Sequence, residues 1–213
     1  VEARPRGRLI AFEGIDGCGK STQAHLLAER LGALLTFEPG ATGLGVSLRR
    51  LLLDRDQAPV SERSEALLMA ADRAQHVAEV VRPALDSGTW VVTDRFSAST
   101  IAYQGSGRGL DRAELDTLIH WATGGLDPDL KVLLDVPVEV ASSRRKTGGD
   151  RFETEGAEFL QRVADGYRRL AAESPAQWLV VDGARIEAEV FADVWSGVLG
   201  LLGPCPTDGG GTS

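Results

Sequence analysis

Residues 9–22 read Leu-Ile-Ala-Phe-Glu-Gly-Ile-Asp-Gly-Cys-Gly-Lys-Ser-Thr: a short apolar run, a glycine-rich turn and the opening of a helix. Gly14, Gly19, Lys20 and Ser21 fill the spacing G-x-x-x-x-G-K-[ST] of a phosphate-binding loop. The residue types follow from the chemistry. Glycines let the backbone curl until successive N–H groups point inward at phosphate oxygens, and the helix that follows adds its positive dipole end. Lys20 has the reach for β- and γ-phosphates, and the Ser21 hydroxyl suits a Mg²⁺ ion. A chain built around this stretch binds a nucleotide.

The remainder alternates in the same way. The helix after the loop carries Ala24, Leu27, Ala28 and Leu31 at i, i+3, i+4 and i+7, and Gly32 suits its end. A strand over 34–37 leads into Glu38-Pro39-Gly40-Ala41-Thr42-Gly43, a loop by composition, and then a short helix near 44–53. One long helix is predicted over 62–87, with Leu67, Ala70, Ala74, Val77 and Val81 along one side and Pro83 kinking or restarting it. A strand over 90–93 closes on Asp94-Arg95, and Asp111 with Glu114 forms a capping box for a helix over 112–123. The apolar run 131–136 reads as a strand buried on both faces. A helix from Pro137 into Lys146, a helix over 157–173, a strand over 178–182 and a helix over 187–202 follow. The pattern predicts an α/β fold, a doubly wound parallel five-stranded sheet flanked by helices, in one domain over 8–202. A flexible polar lead-in over 1–7 and a disordered tail over 203–213 flank it.

Charge decides what the loop can serve. The net charge of −8 argues against a nucleic-acid polymer as partner, since backbone phosphates need a cationic surface. A small anionic substrate needs only a local cluster of cations. No apolar run approaches the roughly 18 residues of a membrane span, nothing at the N-terminus resembles a signal peptide, and the cytoplasm is the expected location. The two cysteines, Cys18 in the loop and Cys205 in the tail, make no disulfide framework.

Local cation clusters are present. Asp94-Arg95 ends an apolar strand, where parallel sheets expose functional groups. The carboxylate suits Mg²⁺, directly or through water, and the guanidinium suits a second phosphate. Arg144-Arg145-Lys146, continued at Arg151, lies on a glycine-rich segment over about 142–156 that reads as a lid. A closing lid replaces water around a polyphosphate with fixed cations. Arg49 and Arg50 follow the Glu38-Pro39-Gly40 loop, and either one can face phosphate. The residues alone give a P-loop phosphotransferase with an anionic second substrate.

The ordered blocks resemble those of the bacterial type of thymidylate kinase, with a catalytic arginine in the lid, from about Leu9 to Leu202. The carriers are Phe12-Glu13-Gly14-Ile15-Asp16-Gly17-Cys18-Gly19-Lys20-Ser21-Thr22, Glu38-Pro39-Gly40 with Thr42, Leu48-Arg49, Ala71-Asp72-Arg73-Ala74-Gln75-His76, Asp94-Arg95-Phe96-Ser97-Ala98-Ser99, Ala102-Tyr103-Gln104-Gly105, Pro128-Asp129-Leu130 and Asp150-Arg151-Phe152-Glu153. The resemblance implies ATP + dTMP → ADP + dTDP with Mg²⁺, in a homodimer. On it, ATP would lie on Gly14, Ile15, Asp16, Gly17, Cys18, Gly19, Lys20, Ser21 and Thr22, with Arg144 beside it, and Ser21 and Asp94 would serve the metal. Asp16 would meet the deoxyribose 3′-hydroxyl or the phosphate–metal network. Arg49 and Arg95 would hold the dTMP phosphate, Arg73 and Gln104 the thymine edge, and Tyr103 the sugar. Glu38, Pro39, Met69 and Ser99 would complete the dTMP set. Gly17 stands where some members carry a loop arginine, so Arg145, Lys146 or Arg151 would supply the catalytic cation alongside Lys20 and Arg95.

Three positions depart from the family pattern: Phe37 replaces an arginine before Glu-Pro-Gly, Ala41 a second glycine, and Met69 a phenylalanine that stacks on thymine. A thioether still covers a base face but loses ring stacking, so weaker base affinity or a looser preference between thymine and uracil is expected. The alternatives are another nucleoside-monophosphate or deoxynucleoside kinase, or a non-catalytic P-loop switch. Arg49 and Arg95 favour a phosphorylated acceptor over a neutral hydroxyl, and no guanine-reading Asn-Lys-x-Asp is present.

Overall fold

The computed structural model of the protein describes residues 5–54, 58–144 and 155–203. Arg145, Lys146, Arg151, most of the lid segment and residues 204–213 of the tail lie outside them.

Strand β1 (Leu9–Glu13) is the centre of the sheet, and each of its five residues is buried. Its side chains alternate between two cores. Ile10 and Phe12 join the larger core with Leu27, Val132 and Val194, while Leu9 and Ala11 join Val81, Leu85 and Phe96 on the other side. Enclosing a side chain of the size of Leu, Ile or Phe stabilises the fold by about 1.5–3 kcal/mol each.

Helix α1 (Lys20–Leu31) starts from the phosphate loop and ends on Gly32 in the left-handed region. It returns the chain to β2 (Leu34–Phe37), an edge strand on which only Thr36 is buried. Thr42 caps α2 (Gly43–Leu53) by accepting from the Gly45 N–H at 2.9 Å, and Ser61 caps α3 (Glu62–His76). A π-helical turn, Val77–Val81, joins α3 to α4 (Arg82–Asp86). β3 (Val91–Asp94) follows, then α5 (Ser97–Thr100) and a π-helical segment, Ile101–Gly107. Asp111 caps α6 (Arg112–Thr123), and β4 (Leu130–Asp135), α7 (Val138–Arg144), α8 (Ala157–Glu173), β5 (Trp178–Asp182) and α9 (Glu187–Leu202) complete the order.

The sheet runs β2-β3-β1-β4-β5 and all four pairings are parallel. Connections wind one way to β2 and β3, then the other way to β4 and β5. The crevice at the carboxyl ends of β1 and β3 is the natural ligand site of such a sheet. The doubly wound five-stranded fold read from the sequence is the observed one.

Two readings change. The stretch 62–87 is three helical pieces rather than one, because the π turn absorbs the break and Pro83 falls in the first turn of α4, where its missing N–H is tolerated. No helix was expected between Arg95 and Asp111, yet α5 and its π-helical extension occupy it. Ser, Thr and Gly make that stretch a poor helix by propensity. Packing overrides propensity, for Gly107 sits so close to Phe159 of α8 that a Cβ would meet the ring at 2.7 Å.

Candidate active site

The phosphate loop takes its shape from Gly14, Gly17 and Gly19, with φ of 140°, 89° and 98°. Gly14 has a second constraint: a Cβ there would lie 2.8 Å from the Leu134 carbonyl oxygen. Lys20 is buried, its Nζ donating to the Ile15 carbonyl at 3.0 Å and lying 3.9 Å from Asp16 Oδ1. Cys18 is buried beside it and free, and burial pushes its thiol up, so it is no nucleophile at neutral pH.

Ser21 donates to Asp94 Oδ2 at 2.5 Å, bringing the start of α1 to the end of β3. The other carboxylate oxygen, Asp94 Oδ1, is buried without a partner among the described residues. A hydroxyl beside a half-satisfied carboxylate fits Mg²⁺, which takes one or two protein oxygens and fills its octahedron with phosphate and water. No group of three or more His, Cys, Asp or Glu side chains suited to a metal occurs among the described residues.

Arg95 is the only non-glycine with positive φ among them, at 75°. A residue of this kind is held there by its surroundings, at a cost of about 1–3 kcal/mol. Its N–H donates to the Phe12 carbonyl at 2.9 Å, and its guanidinium meets Asp16, Tyr103 Oη at 3.0 Å, Ser99 Oγ at 3.1 Å and Tyr167 Oη at 3.3 Å. Tyr103 donates its own hydroxyl to Asp16 Oδ2 at 2.8 Å. Burial raises the Asp16 pKa, but the charges of Arg95 and Lys20 and the Tyr103 hydrogen bond outweigh it and hold the carboxyl well below the usual range.

Of these groups, Lys20, Ser21, Asp94, Arg95, Asp16, Ser99 and Tyr103 line one cleft of about 680 Å³, while Gly14, Cys18 and Tyr167 lie outside its lining. Lys20, Ser21, Asp94, Arg95 and Arg144 are part of its polar lining, and Leu35, Phe37, Pro39, Leu53 and Met69 of its apolar lining, with the Arg49 guanidinium over the Phe37 ring. Arg49 donates to the Pro39 carbonyl at 2.7 Å. Arg50 is not among the lining residues. Arg144 donates to the carbonyls of Gly183 and Ala184 at 2.8 and 3.0 Å. Gly17, Gly19, Thr22 and Glu38 also line the cleft.

Arg73 and Gln104 are placed differently, outside the lining and fully enclosed. Arg73 donates to Glu38 at 2.8 Å, Thr100 Oγ1 at 2.8 Å and the Phe96 carbonyl at 3.0 Å. Glu38 is also bonded to His76 at 2.9 Å, and His76 reaches Thr36 at 2.7 Å. Asp72, on the same buried face of α3, accepts from the Gly40 N–H at 2.9 Å. Burial, and then the Glu38 charge, push its pKa up to about 6.

Sequence reasoning gave no role to Glu13 or Tyr167. Glu13 is completely buried below Arg95 and accepts from the Phe96 N–H at 3.0 Å, Ser99 Oγ at 2.6 Å and Tyr167 Oη at 3.1 Å. Burial raises its pKa against those bonds. A charged residue closing an apolar strand was the signal available for Glu13. Tyr167 lies 154 residues away on the apolar face of α8, where it reads as core.

A parallel sheet whose first strand feeds a phosphate loop, with arginines and apolar side chains lining the same cleft, defines a P-loop phosphotransferase acting on a small nucleotide. The sequence profile of thymidylate kinase matches residues 12–194, and the chain belongs to the thymidylate kinase family. The thymidylate kinase of Cupriavidus necator is 48% identical over 194 residues, 87% of this chain and 94% of the relative. That of Desulforudis audaxviator is 46% identical over 211 residues, 96% of each. The crystal structure of thymidylate kinase from Ehrlichia chaffeensis superposes with a TM-score of 0.75 at 33% identity, covering 91% of this chain and all of that one.

Proposed function

We propose that the cleft transfers the γ-phosphoryl group of ATP to dTMP, giving dTDP, with Mg²⁺ at the Ser21–Asp94 pair. An ATP-dependent kinase acting on dTMP follows from membership of the family. The observation that carries the finer reading is the convergence of Lys20, Arg95, Arg49 and Arg144 on one cleft with an apolar wall. The acceptor attacks with a phosphate oxygen that is already anionic at neutral pH, so no strong base is needed. The obstacle is repulsion between two anions, and catalysis is mainly neutralisation and alignment.

Lys20 and the loop N–H groups hold the donor phosphates. Arg95, fixed from beneath, holds the acceptor phosphate together with Arg49. Asp16 orients Arg95 and stays within reach of the sugar. Ser21 and Asp94 would hold Mg²⁺, which would supply screening of the phosphate charge. Arg73 and Gln104 serve the thymine edge from behind the wall, and Met69 covers the base. A lid over about 142–156 supplies the last cation from Arg145, Lys146 or Arg151, on the strength of the sequence. The kinase domain spans 8–202. A homodimer suits Leu67 of α3 and Trp121 of α6, the latter 82% exposed. No described helix is long and apolar enough to cross a membrane, and the cytoplasm suits an enzyme of nucleotide supply.

The test is a coupled ADP-release assay with Mg-ATP, offering dTMP, dUMP, dCMP, dGMP, AMP and thymidine. Turnover with dTMP well above the others is expected. Equal rates with dTMP and dUMP keep the chemistry and make Met69 the cause of looser reading. No turnover with any monophosphate, despite ATP binding, overturns the proposal.

A further inference from the structure

Glu65 opens the buried face of α3, on which Met69 and Arg73 follow at i+4 and i+8. Its side chain is enclosed, and its carboxylate accepts from Gln104 Nε2 at 2.9 Å and from Arg108 Nε and Nη2 at 3.3 and 3.2 Å. A carboxylate paired with a guanidinium offers only acceptors. The Gln104 amide is therefore obliged to turn its NH₂ towards Glu65, and its orientation is dictated chemically. The consequence falls on the other end of the amide. Gln104 Oε1 is buried and has no hydrogen-bond partner among the described residues. Orphan acceptors are costly, and one kept in place calls for an outside donor. Both members of the pair are chain neighbours of the cleft wall, since Tyr103 precedes Gln104 and Met69 lies one helical turn beyond Glu65.

We propose that Glu65 is a specificity-determining positioning residue, which fixes the Gln104 amide with its carbonyl as acceptor and so selects a base edge presenting an N–H. The dione edge of thymine or uracil presents one at its ring nitrogen. Cytosine presents an acceptor at the same place and meets the carbonyl lone pair head-on. This rests on the dTMP reading above. Arg108 is the anchor that holds Glu65 in register, with its other arm on Glu155 at 2.6 Å.

The experiment compares dTMP and dCMP as acceptors in wild-type protein and in Glu65→Gln. In the variant Arg108 keeps the carbonyl oxygen of the introduced amide, so the new NH₂ faces Gln104 and the Gln104 amide must reverse. The expected result is a fall in the dTMP-to-dCMP ratio of kcat/KM by about tenfold or more, with the KM for ATP unchanged. A folded E65Q protein whose two rates drop in parallel, leaving the ratio intact, assigns Glu65 a structural role and overturns the proposal. If E65Q shows no cooperative thermal transition, Gln104→Met decides: a collapsed ratio supports the proposal and an intact one overturns it. Absence of dTMP turnover in the wild type is a separate failure, that of the activity itself.

Discussion

The Tyr167 hydroxyl lies 3.1 Å from Glu13 Oε2 and joins α8 to the carboxyl end of β1 directly beneath Arg95. The same phenol meets Ser99 Oγ at 2.8 Å, so Glu13, Ser99 and Tyr167 form one buried support for the guanidinium of a residue whose backbone has positive φ. Tyr167→Phe keeps the ring in the core and removes only the hydroxyl. The hydroxyl's contacts with Glu13, Ser99 and Arg95 go together, and we expect the acceptor KM to rise about 3- to 10-fold, with the KM for ATP unchanged. Steady-state kinetics with each substrate varied in turn checks this. A lower melting temperature with an unchanged acceptor KM would show that Tyr167 supports only the fold.

Lys20→Ala and Arg95→Ala remove the two cations that the proposed function sets against the donor and acceptor phosphates. Each is expected to lower kcat by about 10²–10³-fold, as the loss of one preorganised charge does, while the circular dichroism spectrum stays native. Near wild-type turnover in either variant would contradict the assignment of the cleft.

Asp94→Asn tests the proposed Mg²⁺ role of Ser21 and Asp94 by binding rather than by rate. Asparagine keeps a partner for Ser21 but removes the negative charge that attracts a cation. Calorimetry is expected to show wild-type affinity for ATP in EDTA and a loss of the extra affinity that Mg²⁺ confers. An undiminished Mg²⁺ effect would place the metal elsewhere.

The pH dependence of stability separates two carboxyls. Asp72, raised by burial to about 6 from 3.8, binds a proton more tightly when folded, so its contribution to stability falls as pH rises from about 4 through 6. Asp16 is depressed, so the stability it adds is present above 3.8 and is lost as pH falls below that value. Asp72→Asn removes the first effect alone. Its stability relative to wild type should climb by on the order of 2–3 kcal/mol between pH 4 and 7. Urea denaturation at several pH values measures the difference, and parallel curves would rule Asp72 out as the group responsible.

Much of the architecture was legible because the signals are local. Leu34–Phe37, Ala157–Glu173, Trp178–Asp182 and Glu187–Leu202 have the bounds read from side-chain period and turn residues. The segment after Arg95 was not legible, since Ser97-Ala98-Ser99-Thr100 and the glycines up to Gly107 carry no helical signature. Contact with α8 holds them there, and that contact is absent from any short window of sequence.

The site divides along the same line. Sequence alone determined the phosphate loop, because Gly14, Gly17 and Gly19 supply backbone angles that other residues resist and Lys20-Ser21 follow Gly19 directly, at the start of α1. It also named Asp94 and Arg95, because polar residues at the end of an apolar strand point to a crevice. Tertiary structure decided which of Arg49 and Arg50 lines the cleft, that Arg73 is engaged by Glu38, Thr100 and Phe96, and that Glu13, Glu65 and Tyr167 stand behind the visible residues. Backbone geometry is encoded by neighbours in the chain. The pairing of a buried polar group depends on which distant segments the fold brings within 3 Å, and Glu13 and Tyr167 are 154 residues apart.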